Sequence, residues 1–143
     1  MSSDQGTRPA VIPMLAYEDA AAAMDWLAKA FGFREVTRML DDNGAVMHGE
    51  MAAGDGMIML ATPTPDYESP RHHAEHCEAA RSWLSVPYVI DGVYVRVDDV
   101  DAHYRQAQEA GATILGEPSD NPYGRTYRVE DVEGHRWMFA QGN

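Results

Sequence analysis

Four side chains with metal-binding chemistry lie close together near the middle of the chain: His72, His73, His76 and Cys77. On a helix His72 would share a face with His76, and His73 would share one with Cys77, which is a spacing compatible with a metal ion. The segment around them is polar, and this polarity favours a solvated surface helix over a metal site. We therefore expect surface residues here, and the sequence leaves metal binding open.

The composition excludes several classes of partner. The chain of 143 residues has 11 basic and 23 acidic side chains and a formal net charge of −12, which argues against nucleic acid or an anionic membrane as a partner. Its one cysteine forms no intramolecular disulfide, which favours a reducing compartment. Residues 1–8 lack the apolar core of a signal peptide, and no apolar run approaches the roughly 20 residues of a membrane span. We expect a soluble, cytoplasmic protein.

An internal repeat organises the rest of the chain. Residues 15–19 (LAYED) precede a helical pattern and recur as residues 95–99 (VRVDD), and residues 58–61 recur as residues 137–140. The offset is roughly 80 residues, which is the size of a whole supersecondary module. The repeat predicts two similar modules with a functional cleft shared between them.

Each module has the pattern of a strand, a helix and three strands. In module 1, Asp19 is a helix N-cap, Gly32 ends the helix, and Pro13 favours an edge position for the first strand. In module 2, Asp99 and Gly111 bound the helix in the same way. The predicted strands are 11–17, 33–40, 46–51 and 57–61, then 93–97, 113–115, 126–129 and 136–141. The predicted organisation is a tail at 1–10, module 1 at 11–61, an insertion at 62–91 with a helix over 71–84, and module 2 at 92–143.

The C-terminal motifs are the most specific part of the sequence. Tyr123-Gly124-Arg125 is followed by Asp131-x-x-Gly134-His135-Arg136-Trp137. With the two βαβββ modules, these motifs resemble the vicinal oxygen chelate superfamily, which includes glyoxalase I, extradiol dioxygenases and bleomycin resistance proteins, and within it the PhnB-like branch. That branch usually has a proline where this chain has Val132. The resemblance spans residues 11–141, and it implies an α+β fold whose two curled mixed sheets surround a shared cleft, in a homodimer.

The resemblance also indicates where the metal-dependent members hold their ion. The four positions correspond to Ile12 and Gly92 on the first strands and to Met59 and Met138 on the last strands. None of these residues supplies the imidazole or carboxylate that such ions need, and a thioether is too soft a replacement. We therefore expect no metal at these positions and no cofactor.

Strand alternation predicts the remaining lining of the cleft. The residues expected to contact a ligand are Met14, His48, Met57, Met59, Trp83, Tyr94, Arg96, Arg128, Arg136 and Met138. The residues expected to face the helices are Val93, Val95, Val97, Trp137 and Phe139. Methionines suit varied ligands, and buried cations favour acidic or polar acceptors. The alternative is that the methionines fill a core and the arginines extend to solvent.

Other conspicuous side chains have structural interpretations beside the functional ones. Trp83 and Tyr88 in the insertion could stack on a ligand or pack against a sheet edge. His103 is expected to be a surface or capping residue, and His135 to make a structural hydrogen bond at least as readily as a ligand contact.

These observations favour a metal-independent protein that binds or sequesters a small organic molecule, and they argue weakly against an enzyme. The first alternative is a glyoxalase-type lyase, isomerase or dioxygenase whose metal is held by non-standard ligands such as His48 with Asp91. The second is a metal-free enzyme that uses His48 or Tyr94 as an acid or base.

Overall fold

Each half of the chain forms one mixed four-stranded sheet with one helix on it. The computed structural model describes residues 8–86 and 91–142. Module 1 consists of β1 (Met14–Ala16), α1 (Ala20–Phe31), β2 (Arg34–Leu40), β3 (Val46–Ala53) and β4 (Gly56–Ala61). The insertion contributes α2 (Pro70–His76) and α3 (Glu78–Leu84). Module 2 consists of β5 (Gly92–Arg96), α4 (Val100–Glu109), β6 (Thr113–Asn121), β7 (Gly124–Glu130) and β8 (Arg136–Gln141).

The two sheets have the same strand order. Sheet 1 runs β1-β4-β3-β2 and sheet 2 runs β5-β8-β7-β6. The first strand of each module is parallel to the last, and the other neighbours are antiparallel. This topology confirms the predicted pair of βαβββ modules and the edge position of β1, where Pro13 precedes the strand.

The helices begin in the same way in both modules. Asp19 accepts a hydrogen bond from the backbone N–H of Ala22, and Asp99 accepts one from that of Ala102. These N-caps satisfy N–H groups that have no partner inside the helix. Gly32 ends α1 with a φ of 73°, a left-handed conformation that glycine adopts without strain.

One apolar core joins the two modules. Phe31 and Phe33 of module 1 make edge and tilted contacts with Trp137 and Phe139 of module 2, at ring centroid distances between 4.8 and 6.2 Å. Val95, Trp137 and Phe139 are buried, and Val93 and Val97 pack partly buried against the same core. The predicted helix-facing set is therefore confirmed. Because the helix-covered faces of both sheets share this core, their other faces lie on its outside.

The insertion and β6 differ from the prediction. The expected helix over 71–84 is two short helices, because Cys77 has an extended backbone with φ −127° and ψ 113°. Arg81 compensates for the break by donating to the Ala74 carbonyl at 3.1 Å. Strand β6 extends beyond residue 115 and passes Pro118, which an edge strand tolerates where its register shifts between Gly116 and Ser119. Tyr88 lies outside the described residues.

No helix within residues 8–86 and 91–142 is long and apolar enough to cross a membrane.

Candidate functional site

The open face of sheet 1 carries a methionine-rich hollow. Met14 lies opposite Met59, and Met59 lies opposite Glu50, so these three side chains share one face. A cavity of about 250 Å³ there is lined by Met14, Met59, Met47 and His48. Met14 is 81% exposed, so the hollow is open.

His48, one of the residues that line this hollow, lies within ion-pair distance of the carboxylate of Glu50. Its Nε2 lies 2.7 Å from Glu50 Oε2, and Arg8 lies 3.3 Å from the other oxygen of Glu50. The hydrogen bond from His48, followed by that from Arg8, lowers the pKa of Glu50 below its ordinary value. Glu50 is not among the predicted site residues, although strand alternation places residues 48 and 50 on the same face.

A second and larger cavity lies where the modules meet. It has a volume of about 410 Å³, and Met57 of module 1 and both Tyr94 and Arg96 of module 2 line it. The β3–β4 turn forms one edge of this cavity. A Cβ added at Gly54 would lie 3.1 Å from the Arg96 carbonyl oxygen. Six of the ten expected lining residues therefore divide between two openings, three in each.

The open face of sheet 2 is more cationic. Met138 lies opposite both Tyr94 and Arg128, so these residues share that face. Arg128 and Met138 line neither of the two cavities just described. Their place on the open face keeps them as candidate ligand contacts outside the lining of the two openings.

Arg136 has a structural role, which corrects its assignment as a cleft cation available to a ligand. Its side chain is 4% exposed, and it pairs with Glu130 at 3.0 Å. It also donates to the carbonyls of Val86 at 2.5 Å and Leu84 at 2.6 Å. These bonds connect the end of α3 to strand β8 of sheet 2. The neighbouring Trp83 is 51% exposed, so it remains accessible.

The register also corrects one pairing from the repeat. The sequence offset equates His48 with Arg128 and Glu50 with Glu130. In the sheets, Glu50 lies opposite Met59 and Arg128 lies opposite Met138, so Glu50 and Arg128 are the equivalent positions. Nine positions separate Glu50 from Met59 and ten separate Arg128 from Met138, so the longer β7–β8 connection accounts for one residue of the two-residue shift.

The donor set does not fit the metal centre that the superfamily resemblance implies. Ile12, Met59, Gly92 and Met138 contribute no imidazole or carboxylate. Within residues 8–86 and 91–142, neither His48 nor Asp91 belongs to a group of three close donors. The three-donor group that these ranges do contain lies on α2 and the residues before it.

The Asp131 motif joins the two modules. The carboxylate of Asp131 accepts hydrogen bonds from the hydroxyl of Tyr17 at 2.5 Å and from the indole of Trp137 at 3.0 Å. Glu133 accepts from the backbone N–H groups of Glu18 and Asp19, and His135 bonds the Ala16 carbonyl at 2.6 Å. The expected structural hydrogen bond of His135 is therefore confirmed. We call this set of contacts the inter-module clasp.

His103 lies between the modules, which corrects its expected place on the surface. Its Nε2 is 2.9 Å from the Phe31 carbonyl and its Nδ1 is 2.7 Å from the Tyr127 hydroxyl. With the proton on Nε2, the ring donates to Phe31 and accepts from Tyr127. Burial lowers the pKa of His103 below its ordinary value. The expected capping role is confirmed, because the ring caps the last turn of α1.

The paired βαβββ modules define the class of fold, and comparison with known proteins gives the family. The model of the Glyoxalase/Bleomycin resistance protein/Dioxygenase superfamily matches residues 11–139. The chain belongs to this superfamily. Membership of the PhnB-like branch stays a prediction.

Individual relatives agree with this assignment. An "uncharacterized protein" of Mycobacterium bovis is 31% identical over 134 residues, which cover 93% of this chain and 83% of the relative. TioX from Micromonospora sp. ML1 is 32% identical, with a TM-score of 0.68 over 94% of this chain and 97% of TioX. TnmS3, described as an antibiotic binding protein from Streptomyces sp. CB03234, is 20% identical, with a TM-score of 0.63 over 94% of this chain and 98% of TnmS3. The likeness to TnmS3 concerns the fold alone.

Proposed function

We propose that this protein binds and sequesters a small organic molecule on the open faces of its sheets, without a metal ion in the cleft. The observation that carries the proposal is the pair of adjoining openings lined by methionines, Tyr94 and Arg96. The larger opening, about 410 Å³, is in the volume range of small-ligand sites, and the smaller one adds about 250 Å³. The antibiotic-binding description of TnmS3, which shares the fold, supports the same kind of role.

The lining indicates the class of ligand. Tyr94 offers an aromatic face for stacking, and methionine thioethers adapt to varied apolar shapes. Arg96 and Arg128 favour a carboxylate, phenolate or carbonyl group on the ligand. The proposed ligand is therefore a flat or partly aromatic molecule with a polar or acidic acceptor.

We propose further that a second copy of the chain completes the site as a homodimer. The helix-covered faces of the two sheets meet inside one chain, whereas parts of the open faces stay exposed among residues 8–86 and 91–142. Met14, Met39, Met47 and Tyr94 are each at least half exposed. Placing the open face of one copy over that of another would bury these side chains and enclose the ligand.

A thermal-shift screen against antibiotics, thiol conjugates and aromatic metabolites provides the ligand, and calorimetry then measures its affinity with and without a chelator. We expect Tyr94→Ala and Arg96→Ala each to weaken binding at least about tenfold, because each removes a side chain that lines the larger opening. The bound molecule should be recovered unchanged by mass spectrometry.

Tyr123→Ala is the matched control for Tyr94→Ala. Tyr123 is 55% exposed and Tyr94 is 52% exposed, but Tyr123 lines neither cavity. Equal losses from the two substitutions would contradict the assigned face. A stoichiometric metal ion that supports ligand binding and is lost on His48→Ala would instead favour the metal-dependent lyase, isomerase or dioxygenase.

The contact between His48 and Glu50 favours a second candidate, a metal-free enzyme. A carboxylate 2.7 Å from an imidazole orients the ring through a hydrogen bond, as general acid–base catalysis requires. Conversion of the bound molecule that is lost in both His48→Gln and Glu50→Gln would support this candidate over sequestration.

A further inference from the structure

The start of the insertion brings three metal donors together outside the cleft. Glu68 precedes α2, and His72 and His76 lie one turn apart on it. A Glu68 oxygen lies 2.7 Å from Nε2 of His76, and its other oxygen lies 3.9 Å from Nε2 of His72. All three donor atoms lie within 4.8 Å of one another.

A second carboxylate holds His72 in the orientation that a ligand needs. Glu18 Oε2 lies 3.0 Å from Nδ1 of His72 and accepts a hydrogen bond from the backbone N–H of Ser69 at 2.8 Å. With the proton on Nδ1 shared with Glu18, the lone pair of Nε2 is directed to the side of Glu68. In known metal sites, carboxylates that accept a hydrogen bond from the ring nitrogen that does not bind the metal orient the histidine in the same way.

We propose that Glu68, His72 and His76 bind one divalent transition-metal ion of the zinc class, with Glu18 as the positioning residue for His72. Two imidazoles and a carboxylate are a donor set that zinc uses, and water would take the fourth position. Tetrahedral coordination at Zn–N distances near 2.1 Å separates the donors by about 3.4 Å, so the present spacings need only small side-chain movements. His73, on the same helix, is not part of the three-donor group.

The ion would tie the insertion to module 1. It would link the residues before α2 to the helix itself, and through Glu18 to the residues between β1 and α1. Bound metal should therefore stabilise the folded chain, because binding to the native state alone shifts the unfolding equilibrium.

The test uses full-length protein without a histidine tag, stripped of metal and titrated with Zn²⁺ by calorimetry. We expect one ion per chain, at least tenfold weaker binding in His72→Ala and His76→Ala, and about tenfold weaker binding in Glu18→Gln. Zn²⁺ should raise the melting temperature of the wild type and should raise it less in His76→Ala. Co²⁺ should give the visible spectrum of a four-coordinate nitrogen–oxygen site.

Two matched variants test the donor set. His73→Ala and Cys77→Ser change neighbouring metal-binding side chains and should leave the Zn²⁺ affinity within threefold. The proposal is overturned if the wild type binds no Zn²⁺, if His72→Ala and His76→Ala bind it unchanged, or if Cys77→Ser abolishes binding. His48→Ala should keep this site, which separates it from any ion in the cleft.

Discussion

The helix-covered faces of the two sheets match each other, whereas their open faces differ. On the covered side, Thr62 accepts a hydrogen bond from the first N–H of α1, and Gln141, at the equivalent place at the end of β8, accepts one from the first N–H of α4. On the open side, Met14 and Glu50 of sheet 1 stand where sheet 2 has Tyr94 and Arg128.

This difference separates folding from recognition. The covered face of each module must bury an apolar layer and supply an acceptor to the first turn of its helix. Both modules therefore have the same arrangement of contacts on this side. The open faces are free of that requirement, and each has its own chemistry: thioethers and a histidine–carboxylate pair in one, aromatic and cationic groups in the other. Ligand preference should therefore change by substitution on the open faces at little cost in stability.

The largest expected effect comes from comparing a core residue with an open-face residue on the same strand. Ile58 and Met59 are adjacent on β4, but Ile58 is 1% exposed in the core and Met59 lines the open hollow. Ile58→Ala should lower the free energy of unfolding by about 2–4 kcal/mol, because it leaves a cavity. Met59→Ala should lower it by about 1 kcal/mol or less while weakening ligand binding. Chemical denaturation measures both, and equal losses would show that the open face is packed as firmly as the core.

An intermediate effect is expected at the polar contact between the modules. His103→Gln should lower the free energy of unfolding by about 1–2 kcal/mol at pH 7.5, because two partly buried hydrogen bonds are weakened. The folded pKa of His103 lies below the unfolded value near 6.5. The unfolded chain therefore takes up the proton first, and the wild type loses stability as the pH falls below about 6.5.

The stability difference between the wild type and His103→Gln should therefore narrow between pH 7.5 and pH 5.5, measured by urea denaturation at each pH. A difference that widens on acidification would mean that His103 is held protonated in the fold.

The smallest expected effect tests how closely the covered faces agree. Thr62→Ala and Gln141→Ala each remove an acceptor from the first turn of a helix, and each should cost about 1 kcal/mol. The two losses should agree within about 0.5 kcal/mol in thermal or chemical denaturation. A much larger loss for one would show that the modules rely unequally on this contact.

The fold could be predicted from the sequence where local patterns decide it. Alternation placed Val95 and Trp137 in the core, and the caps Asp19 and Asp99 located both helices, since these signals depend on a few neighbouring residues. Strand β6 was predicted too short, because Pro118 indicates an end unless the strand is known to be an edge with an irregular register.

The candidate site was predictable only in part, because long side chains find distant partners. Alternation gave the faces of Met14, Tyr94 and Arg128. It did not show that Arg136 would donate hydrogen bonds to two backbone carbonyls of the insertion, since a backbone carbonyl has no sequence signature. The division into two openings depends on the β3–β4 turn lying against β5, which is a tertiary contact without a local signal.

The inter-module clasp has a consequence for the order of events during synthesis. Tyr17 and the N–H groups of Glu18 and Asp19 find their partners at residues 131 and 133, more than 110 positions later. While a ribosome is still making module 2, module 1 has an incompletely bonded helix start and an exposed aromatic layer. Contacts of such long sequence separation form late, so the nascent first half should depend on the last residues of the chain to complete its native structure.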